Sequence, residues 1–164
     1  MLDDVLTQGL RLVVCGAAAG KVSAARGAYY AGPGNKFWPT LHAVGLTPRR
    51  LASHEFRELL TFGIGLTDVV KGQAGGDVSI DFSRADPDAV HGKIVRLAPR
   101  VLAFNGKKAA EVFLGDRHVQ YGLQPVKVGA TRLFVAPSTS GAASGYWDID
   151  GWRELARLVK EASE

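Results

Sequence analysis

The chain has 164 residues, 46% of them apolar, and 20 Lys and Arg against 16 Asp and Glu give a net charge of +4. That suffices for one domain, 1–164, with its own core, while no apolar run is long enough for a membrane span and the start, with Asp3 and Asp4, lacks the basic-then-apolar order of a signal peptide. The single Cys15 excludes an internal disulfide and suits a reducing, cytoplasmic setting; four scattered His and no Cys pair exclude a zinc cluster; and the basic excess suits a polyanion, although solubility explains it as well.

In chain order, Leu12 to Cys15 is a short apolar run between turn signals and reads as a buried strand. Asn35 is placed to cap a helix through Phe37, Trp38, Leu41 and Val44 to Gly45, with Pro39 near its first turn. Ser53 is placed to cap a second short helix with Phe56, Leu59 and Leu60 on one face. Gly63 to Val70 reads as a loop or short strand carrying Asp68. Asp86-Pro87 opens a helix with Val90, Ile94 and Leu97 at helical spacing, ending before Pro99. Val101 to Phe104 reads as a strand, and Gly106 to Leu114 as a helix with Ala110 and Phe113 inward. Leu133 to Ala136 reads as a strand, paired with Val126 to Val128 through a turn at Gly129. Ile149 to Lys160 closes the chain as an amphipathic helix carrying Trp152, Leu155, Leu158 and Val159. Alternating strands and helices predict an α/β fold: a central, largely parallel sheet covered on both faces, giving three layers.

Two segments of small residues follow apolar strands. One is Cys15-Gly16-Ala17-Ala18-Ala19-Gly20-Lys21; the other is Pro137-Ser138-Thr139-Ser140-Gly141. In an open α/β sheet ligands bind outside the carboxyl ends of the strands, and small residues let backbone approach a ligand closely. The two segments are therefore expected to build one site. The first is not a phosphate-binding P-loop, since three residues rather than four separate its glycines and Val22 follows Lys21. It also lacks the glycine spacing of a dinucleotide fingerprint. Between Gly27 and Trp38, turn formers alternate with aromatics. Phe37 and Trp38 read as helix core, whereas Tyr30 either packs the surface or offers a face to a flat ligand such as a nucleobase.

The segments Gly9 to Gly16 with the spacing to Gly20, Pro33 to Trp38, Phe104 to Lys107, Tyr121 to Pro125 and Pro137 to Ser140 stand in an order that resembles the mismatch-specific uracil and thymine DNA glycosylases of the uracil-DNA glycosylase superfamily. Gly72 to Ala98 matches poorly. The resemblance implies the αβα fold of those enzymes, a monomer, and a damaged base flipped out of single-stranded or duplex DNA. Its N-glycosidic bond is hydrolysed, leaving an abasic product in base excision repair. It further implies base contacts from Gly16, Ala17, Ala18, Gly20, Tyr30 and Asn35, with Tyr30 stacking on the base. The loop Ser138, Thr139, Ser140, Gly141, Ala142, Ala143 and Ser144 would enter the minor groove. No metal or organic cofactor is implied, because water is the nucleophile and backbone donors stabilise the departing base.

Such glycosylases carry an Asn, two residues after the first glycine, that positions water; here that residue is Ala18. Asp68 is the replacement candidate. A carboxylate stabilises positive charge developing on the sugar and deprotonates water, although an Asp also commonly caps a turn. Lys21 is expected to pair with phosphate, with Schiff-base chemistry from a buried, low-pKa lysine as a lesser reading. Ser23 is expected beside a phosphate or the base, or as an exposed hydroxyl that touches neither. Arg26, Lys36, Lys107 and Lys108 are candidates to track the backbone. The tip Gly141 to Ser144 lacks a bulky wedge, which predicts a preference for single-stranded or weakly paired substrate. Three rival readings remain: a binder of abasic or damaged DNA without catalysis, a glycosylase for hypoxanthine or xanthine, and, more distantly, a small-molecule α/β enzyme.

Overall fold

The computed structural model describes residues 2–163. Five strands form one sheet in the order β2-β1-β3-β5-β4: β1 Leu12–Gly16, β2 Ile64–Asp68, β3 Val101–Asn105, β4 Gly122–Val128 and β5 Thr131–Ala136. β1 pairs in parallel with β2 and β3, and β3 with β5; only β4 runs antiparallel, along β5. The α/β, largely parallel expectation therefore holds. The parallel strands read as near-continuous apolar runs because helices cover both faces.

On one face β1, β2, β3 and β5 contribute Leu12, Val14, Leu66, Ala103 and Phe134. They pack under α2 (Phe37–Ala43), the 3-10 segment Ser53–Phe62 and α5 (Ile149–Ala162), through Phe37, Leu41, Leu59, Trp152 and Leu155. On the other, Val13, Cys15, Leu102 and Phe104 meet α3 (Pro87–Leu97) and α4 (Lys107–Leu114) through Val90, Ile94 and Ala110. The strict alternation along β1, with Leu12 and Val14 to one side and Val13 and Cys15 to the other, is the period of two that a strand imposes. Each large side chain buried this way contributes about 1.5–3 kcal/mol. No helix among the described residues is long and apolar enough to cross a membrane.

Several boundaries differ from those the sequence suggests. A short helix α1 (Lys21–Arg26) follows the glycine run. Asn35 does not cap from the N-cap position, which is Lys36; its Oδ1 nonetheless accepts from the Phe37 N–H at 3.0 Å. Ser53 does not cap either. The reciprocal contact is made by Glu55, whose Oε1 accepts from the Ala52 N–H at 2.9 Å. Asp86 caps α3 as the sequence suggests, accepting from Ala89 N–H at 3.0 Å. β4 begins at Gly122, four residues before Val126, with an irregularity between Leu123 and Lys127. Its exposed, mixed sequence hides the earlier part of the strand from a periodicity reading.

Because β1, β2, β3 and β5 are parallel, their last residues, Gly16, Asp68, Asn105 and Ala136, reach the same edge of the sheet. The chain runs from β1 outward to β2 and then returns to β3 on the other side, so β1 and β3 flank the switch point where α/β folds place their ligands.

Candidate active site

Gly16 and Asp68 are register partners at the ends of β1 and β2. Asp68 is only 4% exposed. A Cβ at Gly16 would stand 2.5 Å from Asp68 Oδ1 and 3.1 Å from the Tyr30 hydroxyl. Only a glycine lets the carboxyl and the phenol crowd this strand end. Burial pushes the Asp68 carboxyl up to about 6, and Asp4 adds to that, while Lys71 and a backbone hydrogen bond from Gly16 pull it back. A carboxyl near 6 is charged at neutral pH and still basic enough to take a proton from water.

Lys71 shares with Asp68 a cavity of about 90 Å³, also lined by Ala19, Val70, Gly72 and Gln73. That volume has room for more than one water. Lys71 Nζ is held at 2.7 Å from Asp4 Oδ1, 3.2 Å from the Leu2 carbonyl and 3.3 Å from the Tyr29 hydroxyl. Asp4 also binds Lys93 Nζ at 2.5 Å and accepts from the Thr67 hydroxyl at 2.7 Å. Burial raises the Asp4 carboxyl, but these donors more than offset it and leave it below the ordinary carboxylate range. The result is a charged Asp4 behind an Asp68 that titrates much higher.

Tyr30 sits at φ +53°, an unusual conformation for a side-chain-bearing residue. Ser23 supports it: the hydroxyl accepts from the Ala31 N–H at 2.9 Å, and the residue is 4% exposed. Ser23 is therefore neither an exposed hydroxyl nor a phosphate contact; it fixes the Tyr30 turn from beneath. The Tyr30 ring stacks on Phe37 at 4.0 Å between centroids. Its hydroxyl is buried without a hydrogen-bond partner among the described residues. Burial, then the nearby Asp68, hold that phenol well above its ordinary pKa, so it stays a neutral donor. Asn105, next to it, is already committed, donating to Thr139 Oγ1 at 3.0 Å and accepting from the Thr139 N–H at 2.9 Å.

The glycine run leans on the continuation of β2. The carbonyls of Gly16, Ala17 and Ala19 accept from the N–H groups of Val69, Val70 and Gly75 at 2.9–3.0 Å. Ala17 and Ala18 pack toward the opposite core, with Cys15 and Val69. Gly20 is the exposed N-cap of α1. Lys21 is exposed on the same helix, which removes the buried-lysine basis of a Schiff-base reading and leaves it free to meet phosphate.

The Ser-rich loop lies beside these groups. Thr139 is 1% exposed, and its carbonyl accepts from the Lys36 N–H at 2.8 Å. Thr139 is thus the anchor of the loop and not part of its outer face. Gly141 lies against Pro33 and Gly34, Lys36 Nζ donates to Ser144 Oγ at 3.1 Å, and Ser138 abuts Gly106. Ser140 caps the 3-10 turn Gly141–Tyr146, its hydroxyl accepting from the Ala142 N–H at 3.3 Å. Gly141, Ala142 and Ser144 are exposed, with Ala143 half-buried. The two small-residue segments do come to one edge, joined through Asn105 and the 33–36 loop.

The uracil DNA glycosylase superfamily matches residues 4–156. The chain belongs to that superfamily. It is also similar in fold to the solution NMR structure of a protein from Methanosarcina acetivorans described as a candidate uracil DNA glycosylase. The TM-score is 0.68 at 23% identity, over 99% of this chain and 97% of that one. Superfamily membership supports a DNA glycosylase in general terms and makes DNA its expected partner.

Sequence reasoning gave no role to Asn105, Lys71 or Asp4. Asn105 had a signal, a polar residue closing an apolar strand directly before Gly106. Lys71 and Asp4 had none, because their pairing spans 67 positions of sequence.

Proposed function

We propose that the protein is a monofunctional DNA glycosylase that removes uracil from DNA by hydrolysis and leaves an abasic site. The observation that carries this reading is the buried Asp68, raised to about 6, packed against Gly16 and facing a cavity it shares with Lys71. In this reading the flipped nucleotide enters at the ends of β1 and β3. Asp68, charged at neutral pH, takes a proton from the attacking water and stabilises the positive charge that develops on the sugar. The neutral Tyr30 hydroxyl donates to the water or the base, and the backbone of Gly16 to Gly20 lines the base pocket. Asn35 borders that pocket with the loop it shapes. Ser138, Ser140 and Gly141 to Ser144 meet the DNA, anchored through Thr139, while Lys21 neutralises phosphate. The mechanism needs only water and these side chains, in a monomer.

The small residues at Gly141 to Ser144 favour substrates that are already unpaired. Uracil release is expected to be faster from single-stranded DNA than from a U·G duplex, and the reverse order overturns that part. The deciding experiment compares wild type with Asp68→Asn on both substrates and records binding to abasic DNA alongside. Release lowered by about 10²–10⁴-fold with abasic binding kept supports Asp68 as the base. No release from the wild type, with tight abasic binding in both proteins, replaces the glycosylase with a binder or a different base.

A further inference from the structure

The loop after β5 does not end in small residues. Its 3-10 turn runs on to Tyr146, which is 76% exposed. A second exposed ring, Tyr121 at 44%, stands directly before β4. β4 is antiparallel, and Gly122 pairs with Val135 at the carboxyl end of β5. Tyr121 is thus brought to the same edge as the candidate site. Lys107 bridges the two regions. It follows Gly106, which abuts Ser138, and its ammonium stands 4.5 Å from the Tyr121 ring centroid. Burial first, and then the charge of the Tyr146 phenol, raise the Tyr121 hydroxyl above its ordinary value. Beside them, Lys36 lies 5.6 Å from the Trp147 ring and bonds Ser144.

Tyr121 and Tyr146 leave aromatic surface in water. Rings interleaved with ammonium groups at the rim of a pocket are what a single strand of nucleic acid needs. Bases stack on the rings while the lysines meet the phosphates.

We propose that Tyr121 and Tyr146, with Lys107 against the Tyr121 ring, form a stacking platform for unpaired bases of single-stranded DNA next to the flipped nucleotide. The proposal rests on the glycosylase reading for its geometry, but the binding it describes is measurable without catalysis. The platform supplies an apolar surface that the small loop tip lacks. It holds bases already unstacked and does not wedge a paired base apart.

The test is fluorescence-anisotropy binding of a uracil-free oligo-dT to wild type, Tyr121→Ala, Tyr146→Ala and Tyr146→Phe, across a salt series, with thermal melting of each. Uracil release from single-stranded DNA is followed in parallel. Each alanine variant is expected to melt like wild type and to weaken oligo-dT binding about 5- to 100-fold at unchanged salt slope, with Tyr146→Phe near wild type. Lys107→Ala is expected to reduce the salt slope by about 0.7. Unchanged oligo-dT affinity in both alanine variants, or no oligo-dT binding by wild type, overturns the platform even if uracil is released. Tyrosine-dependent binding without uracil release leaves the platform standing and overturns the uracil-glycosylase reading.

Discussion

At Asp68 stability and chemistry pull in opposite directions. Its folded pKa of about 6 lies above the ordinary 3.8, so the fold binds the extra proton between those values. Folding stability is therefore lost as pH rises through that window, by about 3 kcal/mol in all. Asp68→Asn removes the buried charge and is expected to raise the melting temperature at pH 7.5 by several degrees, with little change at pH 4. A variant that melts lower at pH 7.5 would show that the carboxylate is better solvated than its burial implies. Release by the wild type should fall below pH 6 as Asp68 protonates. Gly16 is the matching constraint. Gly16→Ala puts a methyl 2.5 Å from the Asp68 carboxyl oxygen and forces that carboxyl to shift, and is expected to destabilise by about 1–3 kcal/mol and abolish release. Near-wild-type melting and release would mean that the strand end yields.

Two helical glycines separate packing from propensity at the level of the element. Gly151 lies in the first turn of α5, and a Cβ there would meet Pro137 Cδ at 2.6 Å and Cγ at 2.9 Å. The neighbouring Trp152 Nε1 donates to the Pro137 carbonyl at 2.8 Å, so α5 grips the root of the Ser-rich loop. Gly92, inside α3, has nothing within 4 Å of the same atom. Gly92→Ala should gain about 1 kcal/mol from helix propensity. Gly151→Ala should lose about 1 kcal/mol or more despite the same gain, because the proline ring cannot move aside, and should weaken abasic-DNA binding by displacing the loop. Denaturant melts of the pair check this; equal stabilisation in both would remove α5 as the support of the loop.

Across the whole molecule, the N-terminal segment is tied to the site through Asp4, which joins Lys71 after β2, Lys93 on α3 and Thr67 in β2. Its lowered pKa means that this contribution is present above the ordinary carboxylate range and lost only as pH falls through the lower folded value. Asp4→Asn should therefore destabilise the protein at neutral pH, an effect lost once pH falls below the lowered Asp4 value. It also removes the negative charge that helps raise Asp68 and frees Lys71 to act on it. The acid limb of uracil release should then shift to lower pH. A limb unmoved from about 6 would mean that burial alone sets Asp68.

The strands and major helices could be read from the sequence because their signals are local. A run such as Leu12 to Cys15, the Asp86-Pro87 start and the Ile149 to Lys160 stripe each depend on neighbours within a few residues. The convergence of two small-residue loops also followed, since strands in a parallel sheet end at one edge. Asp68 could be singled out because Ala18 leaves the water-positioning place empty of polar groups. The rest depended on distance in space. Ser23 read as a phosphate or base contact, but the turn at Tyr30 closes over it. Tyr121 and Tyr146, 25 positions apart, became neighbours of one rim only because β4 reverses direction beside β5. The sequence by itself determined the layers and the parallel sheet, because period and order suffice for those, while Asp68 was singled out only through the resemblance to the glycosylases. Only the tertiary structure decided that this acid is buried against Gly16 and Tyr30, with Lys71 and Asp4 behind it. A pKa near 6 is a property of the desolvated space around a carboxyl, and that space is assembled from segments that no local pattern connects.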